Sequence, residues 1–276
     1  MYPVNPKKRL GQHFLADKNI AAKITRALTM NGYRDVIEIG PGTGILTSYL
    51  LDNSNINLRL VEVDPDSVSY LKVRFPGSDA IIEEEDFLKY PLSRNYTEPV
   101  AIIGNFPYNI SSQIFFRILD NRHIVKEVVC MVQKEVATRI VSPPGSKTYG
   151  ILSVLLQAYY HTEMLFTVPP QVFVPPPKVT SAVLRLTRRI KKDEPGNELQ
   201  ETKLVRFAIP DCNEDLFFRV VKTAFNQRRK MLRNSLAPLL PELQETELLS
   251  RRPEQLSPAG FTELTNLIET KKAQGK

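Results

Sequence analysis

The sequence predicts an α/β protein. A mostly parallel sheet is covered by helices on both faces, carries an antiparallel edge, and is followed by a small all-helical C-terminal domain. Three observations predict this. Between about residues 35 and 189, short β-branched apolar runs alternate with stretches of helical period. Two late runs, "EMLFTV" and "SAVLRLT", have no helix between them. Beyond the polar segment "TRRIKKDEPGNELQETK", every remaining apolar pattern is helical.

Taken in order, "DVIEIG" is a buried strand ended by glycine, and "ILTSYLLDN" is a helix. "LRLVEVD" is the second strand, and "PDSVSYLKVRF" is a helix with Pro65 in its first turn. "AIIEEEDF", "VAIIGNF" and "EVVCMVQ" are three more strands, with "SQIFFRILDN" a helix between the last two. "GILSVLLQAYY" is a further helix ahead of the paired late strands. In the C-terminal part, "NEDLFFRVVKTAF", "RRKMLRNSLAPLL", "TELLSR" and "SPAGFTELTNLIETKK" all have helical period, with Ser257 as N-cap of the last. The expected partition is 1–190, a linker over 191–203, and 204–276.

The 276 residues, 42% hydrophobic and 24% charged, suit a globular chain with a real core. No apolar run reaches the roughly 18 residues of a membrane span. The N-terminal "MYPVNPKKRLGQHF" lacks the apolar core of a secretory signal, so a cytoplasmic protein is expected, and the sequence offers no exposed apolar seam, so a monomer is expected. Two distant cysteines and three scattered histidines give no disulfide framework and no metal-ligand spacing. The net charge of +7 is unevenly spread: Arg219 to Arg233 holds six basic residues and no acidic one, and "KKR" near the N-terminus adds three. Concentrated positive charge of this kind suits a polyanion better than a small metabolite.

The strand tips carry the chemistry. Strand one runs into "EIGPGTG", where closely spaced glycines let backbone approach a ligand. Glu62, 24 residues after Glu38, stands at the tip of strand two, where a carboxylate holds a ribose diol. The Gly-x-Gly-x-Gly spacing disfavours a nicotinamide dinucleotide, and the absence of a following lysine excludes a P-loop. Glu38 would repel a pyrophosphate and tolerate a cation. Asp86 at the third tip can accept from an adenine amino group. The ligand that fits is S-adenosylmethionine, with its sulfonium and amine and no phosphate.

The fourth tip is "GNFPYNISS". Pro107 fixes its own φ and keeps Phe106 extended, so the turn is rigid. Asn105 and the Pro107 carbonyl can accept the two N–H groups of an exocyclic purine amine, and Tyr108 supplies a face for the base. The tip reads as a clamp for a planar amine.

"LGQHFL", "EIGPGTG", "VEVD", "EEDF" and "GNFPYNISS", in this order, resemble the ribosomal RNA adenine N6,N6-dimethyltransferases. "FVPPPKVTSAVLRL" and "AFNQRRKMLRNSL" are similar to the KsgA/RsmA branch, which dimethylates two adjacent adenosines in a hairpin loop near the 3′ end of 16S rRNA. The resemblance covers nearly the whole chain. It implies a Rossmann-like class I methyltransferase fold and an S-adenosyl-L-methionine cofactor bordered by His13 and Leu15. Gly40 would lie against the methionine part, Glu62 on the ribose and Asp86 on the adenine. Asn105 would bridge cofactor and substrate amine, completing a catalytic set with Pro107 and Tyr108. His13 stands where the family often has Asn, Phe106 where Leu is commoner, and Thr180 where Asp is usual.

On this reading Arg228, Arg229, Lys230 and Arg233 lie on one helical side and grip rRNA phosphates of the immature small subunit. Tyr2, Lys7, Lys8 and Arg9 form a mobile basic arm that orders over the substrate. Three rivals remain open at this stage. They are a macrolide-resistance methyltransferase of large-subunit rRNA, a non-enzymatic assembly or transcription factor on the same fold, and a DNA adenine or protein amide methyltransferase.

Overall fold

The computed structural model describes residues 4–189, 210–239 and 246–274. The expected linker, 191–203, and Tyr2 lie outside the described residues. Two compact units form: Met1–Ala137 with Thr162–Arg188, and Thr138–His161 with Arg189–Lys276.

The first unit opens with β1 (Phe14–Leu15) and α1 (Lys18–Thr25), capped by Asp17, whose side chain accepts the Ile20 N–H. Then come β2 (Asp35–Ile39), α2 (Thr47–Leu51), β3 (Asn57–Glu62), α3 (Pro65–Arg74), β4 (Ile82–Glu84), α4 (Leu92–Asn95), β5 (Val100–Asn105), α5 (Ser111–Asp120), β6 (Val125–Gln133) and α6 (Lys134–Val141). α7 (Ile151–Tyr159) precedes β7 (Tyr160–Val168), β8 (Phe173–Val174) and β9 (Ser181–Arg188). Seven strands form one sheet in the order β4-β3-β2-β5-β6-β9-β7, and β1 pairs with β8 in a small second sheet. β4 through β6 run parallel, whereas β9 lies antiparallel to β6, with Cys130 opposite Leu184. This is the mostly parallel sheet with an antiparallel edge expected from the sequence.

Local chemistry explains the elements. β2, β5 and β6 are nearly continuous buried runs, as central parallel strands covered on both faces must be. α3 starts where Asp64 caps it and Pro65 opens its first turn. α5 buries Ser111, Ile114, Phe115, Ile118 and Leu119, an i, i+3, i+4 stripe that lies on the core. The strand order reverses between β2 and β5, whose carboxyl ends therefore border a crevice. These two strands meet unusually closely. A Cβ on Gly104 would stand 2.4 Å from the Ile39 carbonyl oxygen, so glycine alone fits that seam.

The second unit gathers α7 with α8 (Glu214–Asn226), α9 (Leu232–Ser235), α10 (Glu247–Ser250) and α11 (Pro258–Gln274). Its boundary does not follow the linear partition expected at residue 190. α7 buries residues almost all round, and its Tyr159 ring packs edge-on against Phe217 at 6.3 Å. A helix without a polar face needs partners on every side, and the C-terminal helices supply them. Phe225 stacks on Phe261 at 6.0 Å, and Asn213 and Ser257 cap α8 and α11. One expectation is corrected. Arg228 to Lys230 form a turn after α8, closed by the Lys230 N–H on the Gln227 carbonyl at 2.8 Å, and helix resumes only at Leu232. A run of arginines has helical propensity, but the chain must turn to bury Leu232 and Leu236.

Candidate functional site

A cavity of about 240 Å³ opens at the carboxyl ends of β2, β3, β4 and β5. Its walls include Gly40, Glu62, Asp86, Asn105, Pro107 and Tyr108, so residues from four consecutive strand tips meet there. His13 lines it from the N-terminal side. Leu15 does not. Its side chain is buried in the core, paired through β1 with Phe173 of β8, two residues after His13.

Glu62 is nearly buried, and both its oxygens are used: Oε2 accepts the Gly42 N–H at 3.0 Å and Oε1 the Asp64 N–H at 2.9 Å. Burial raises its carboxyl above the ordinary range, with the two N–H groups opposing. Each oxygen keeps a lone pair for a ligand hydroxyl. Asp86 has Oδ1 on the Leu88 N–H at 3.0 Å, so it shapes its own loop while lining the cavity. Gly40 has φ +60°, and a Cβ there would find nothing within 4 Å: its open side is space for a ligand.

Glu38 is placed differently from expectation. It is absent from the cavity wall, buried beneath the loop, and accepts the Thr47 hydroxyl at 2.7 Å. Burial first, and Glu62 nearby, push its carboxyl up to about 8. A cation above it would favour the charged form.

At the fourth tip, Asn105 Nδ2 donates to the His13 carbonyl at 2.8 Å. Asn105 Oδ1 is buried and has no hydrogen-bond partner. A polar atom left in this state costs free energy until something donates to it. The Pro107 carbonyl accepts the Ile110 N–H at 3.2 Å, leaving one lone pair. Phe106 turns into the core, edge-on to Phe115. The Tyr108 hydroxyl is hydrogen-bonded to Ser181, and the Tyr108 ring stacks on His13 with centroids 5.4 Å apart. His13 Nδ1 donates to the Pro175 carbonyl at 2.8 Å.

Sequence reasoning missed Gln12 and Asp64, which tie the N-terminal segment to the tip of β3, and Asn109, which donates to the Arg9 carbonyl at 3.4 Å. Nothing in the sequence links residues so distant. The basic segment from Lys7 is docked, not a free arm: Lys7 pairs with Asp64 at 2.5 Å and Asp66 at 2.7 Å. In the second unit Arg229, Lys230 and Arg233 are exposed. Arg228 instead donates to the Lys147 carbonyl at 2.6 Å and lies 3.8 Å from Glu254.

The model of the family described as "Ribosomal RNA adenine dimethylase" matches residues 4–265. The chain belongs to the ribosomal RNA adenine dimethylase family. This dimethylase is 53% identical to "Ribosomal RNA small subunit methyltransferase A" of Flavobacterium johnsoniae, over 98% of each chain. It is 50% identical to the same-named protein of Bacteroides fragilis, over 96% of this chain and 93% of that one. Among solved structures it has the fold of a dimethyladenosine transferase from Plasmodium falciparum, with a TM-score of 0.72, 23% identity and coverage of 94% and 98%. It also resembles the 23S rRNA methyltransferase ErmE, with a TM-score of 0.61, 25% identity and coverage of 92% and 99%. The dimethylase is thus an enzyme of the class I S-adenosylmethionine-dependent methyltransferase fold, acting on adenine in ribosomal RNA. Among its described residues no helix is long and apolar enough to cross a membrane.

Proposed function

We propose that the enzyme methylates the N6 amines of two adjacent adenosines in a hairpin loop near the 3′ end of 16S rRNA. It acts as a cytoplasmic monomer on the immature small subunit. The observation that carries the chemistry is the buried, unpartnered Asn105 Oδ1 in a cavity wall shared with Glu62 and Asp86. The small-subunit target is favoured over the large-subunit one because identity is about 50% to small-subunit enzymes and 25% to the 23S enzyme. Among the described residues the large apolar side chains left exposed are few, Leu51, Val63, Val73, Val179 and Met231, which supports the monomeric reading.

The residues fit S-adenosylmethionine. Glu62 has acceptor capacity for ribose hydroxyls, Asp86 for the adenine amine, and Gly40 and His13 border the methionine part. When bound, the cofactor supplies an electrophilic methyl carbon on a sulfonium, a leaving group that needs no acid. The protein's work is positioning. Asn105 Oδ1 and the remaining lone pair of the Pro107 carbonyl would accept hydrogen bonds from the amine N–H groups, drawing the nitrogen toward tetrahedral so that its lone pair is less delocalised into the ring and aims at the methyl carbon. Tyr108 is held by Ser181 with one face against His13, so the flipped base stacks on the other. Alignment of this kind lowers a barrier by about 7–11 kcal/mol at best. Arg229, Lys230 and Arg233, exposed in the second unit, hold phosphates.

Methylation assays on purified small and large subunits with wild type and Asn105→Ala test the proposal. Label on the small subunit, lost in Asn105→Ala while RNA binding persists, is expected. Label on the large subunit, or an active Asn105→Ala, overturns it.

A further inference from the structure

The side-chain amide in the cavity is oriented from outside its own loop. With Asn105 Nδ2 held on the His13 carbonyl, Oδ1 is the atom that remains in the cavity wall. Whatever fixes that carbonyl therefore fixes which end of the amide a substrate meets.

The segment bearing His13 is tied at both ends. Downstream, Phe14 and Leu15 pair with Val174 and Phe173, and the His13 ring donates to Pro175. Upstream, the ties converge on one fully buried carboxylate. Lys7 Nζ donates to Asp64 Oδ1 at 2.5 Å, and Gln12 Nε2 donates to Oδ2 at 2.9 Å. The Lys7 N–H closes the loop on Gln12 Oε1 at 2.8 Å. Burial alone would raise the Asp64 carboxyl, but the hydrogen bonds from Lys7 and Gln12 outweigh it and hold it below the ordinary range. Capping α3 requires only the bond from the Asp66 N–H, so the two donors from the N-terminal segment exceed what a helix cap needs. Asp64 also gives its own N–H to Glu62, so one residue touches both the segment that aims Asn105 and the carboxylate assigned to the ribose.

We propose that Asp64, engaged by Lys7 and Gln12, is a positioning residue of the reaction. It seats the segment from Lys7 to His13 in the register at which the His13 carbonyl turns the Asn105 oxygen toward the substrate amine. This rests on the role given to Asn105 above.

Lys7→Met and Gln12→Leu test it without disturbing the α3 cap, which Asp64→Asn would strain. Misplacement of a reacting group by about 1 Å costs up to roughly 100-fold, so kcat on small-subunit rRNA should fall about 10- to 100-fold in both variants; in Lys7→Met, whose side chain is outside the cavity wall that Gln12 lines, KM for RNA and the calorimetric Kd for S-adenosylmethionine should change less than about threefold. Trypsin should cut faster at Lys8 and Arg9 in both variants with no ligand present, and Lys7→Arg should restore kcat and protection. Unchanged kcat in both variants, or a kcat loss matched by weakened cofactor binding in Lys7→Met, overturns the proposal. Failure of the underlying reading looks different: Asn105→Ala would then be as active as wild type.

Discussion

Asn105 and His13, 92 residues apart in the chain, meet where a side-chain amide donates to a main-chain carbonyl at 2.8 Å. The bond has a direction, and a carboxylate cannot reproduce it. Asn105→Asp places an anion against the His13 carbonyl oxygen and removes the donor. The expected outcome is a loss of initial methylation rate of roughly 10²- to 10³-fold, the scale for removing one oriented polar group from an active site. Rates at saturating cofactor, with the rRNA-bound fraction measured in parallel, check it.

Glu62 takes two backbone N–H groups, and Glu62→Gln keeps one good acceptor in place of two. Hydrogen bonds to a charged group contribute about 1.5–3 kcal/mol each, so cofactor affinity should fall roughly 10- to 100-fold. Isothermal calorimetry of the cofactor-free protein reads this directly.

The buried carboxyl of Glu38 gives a pH dependence whose sign can be worked out. Its ordinary value is 4.5 and its folded value about 8, so between these the folded chain binds more protons than the unfolded one. Stability therefore falls as pH rises from about 4.5 to 8. Glu62, raised in the same direction, adds to the slope. Urea titrations of the free protein across this range should show the decline, and Glu38→Gln should flatten it. Binding of a cationic ligand over the range should release protons, measurable as a buffer-dependent heat.

Arg229 and Lys230 are exposed, whereas Arg228 is engaged with Lys147 and Glu254. Arg229→Glu with Lys230→Glu should weaken RNA binding and flatten its dependence on log salt by about 0.7 to 0.9 per lost phosphate contact, with cofactor affinity intact. Arg228→Ala should chiefly lower the melting temperature. Filter binding across salt, beside thermal melts, separates the two effects.

Much of the first unit was legible because parallel strands announce themselves. "DVIEI", "NLRLVE" and "VAIIGN" are apolar runs whose last residues stand at the carboxyl end of the sheet, so Glu62 and Asn105 could be placed at strand tips by counting, while Asp86 lies two residues beyond β4. What stayed hidden depends on contacts with no local signature. Lys7 reads as one basic residue among several, and its partner Asp64 lies 57 positions away. The "FNQRRKML" stretch has helical composition throughout, and only the need to bury Leu232 introduces the turn. Leu15 lies near the ligand in sequence, but its apolar side chain belongs to the core while neighbouring His13 faces the cavity.

At Gly104 the strand that ends in Asn105 presses on Ile39, one residue before Gly40, with room for hydrogen and nothing larger. The spacing between these two strand tips is thus gauged main chain against main chain, a calibration that rotamer hopping does not blur. The lining of the cavity can be re-tailored over many generations while that seam stays shut to every other amino acid.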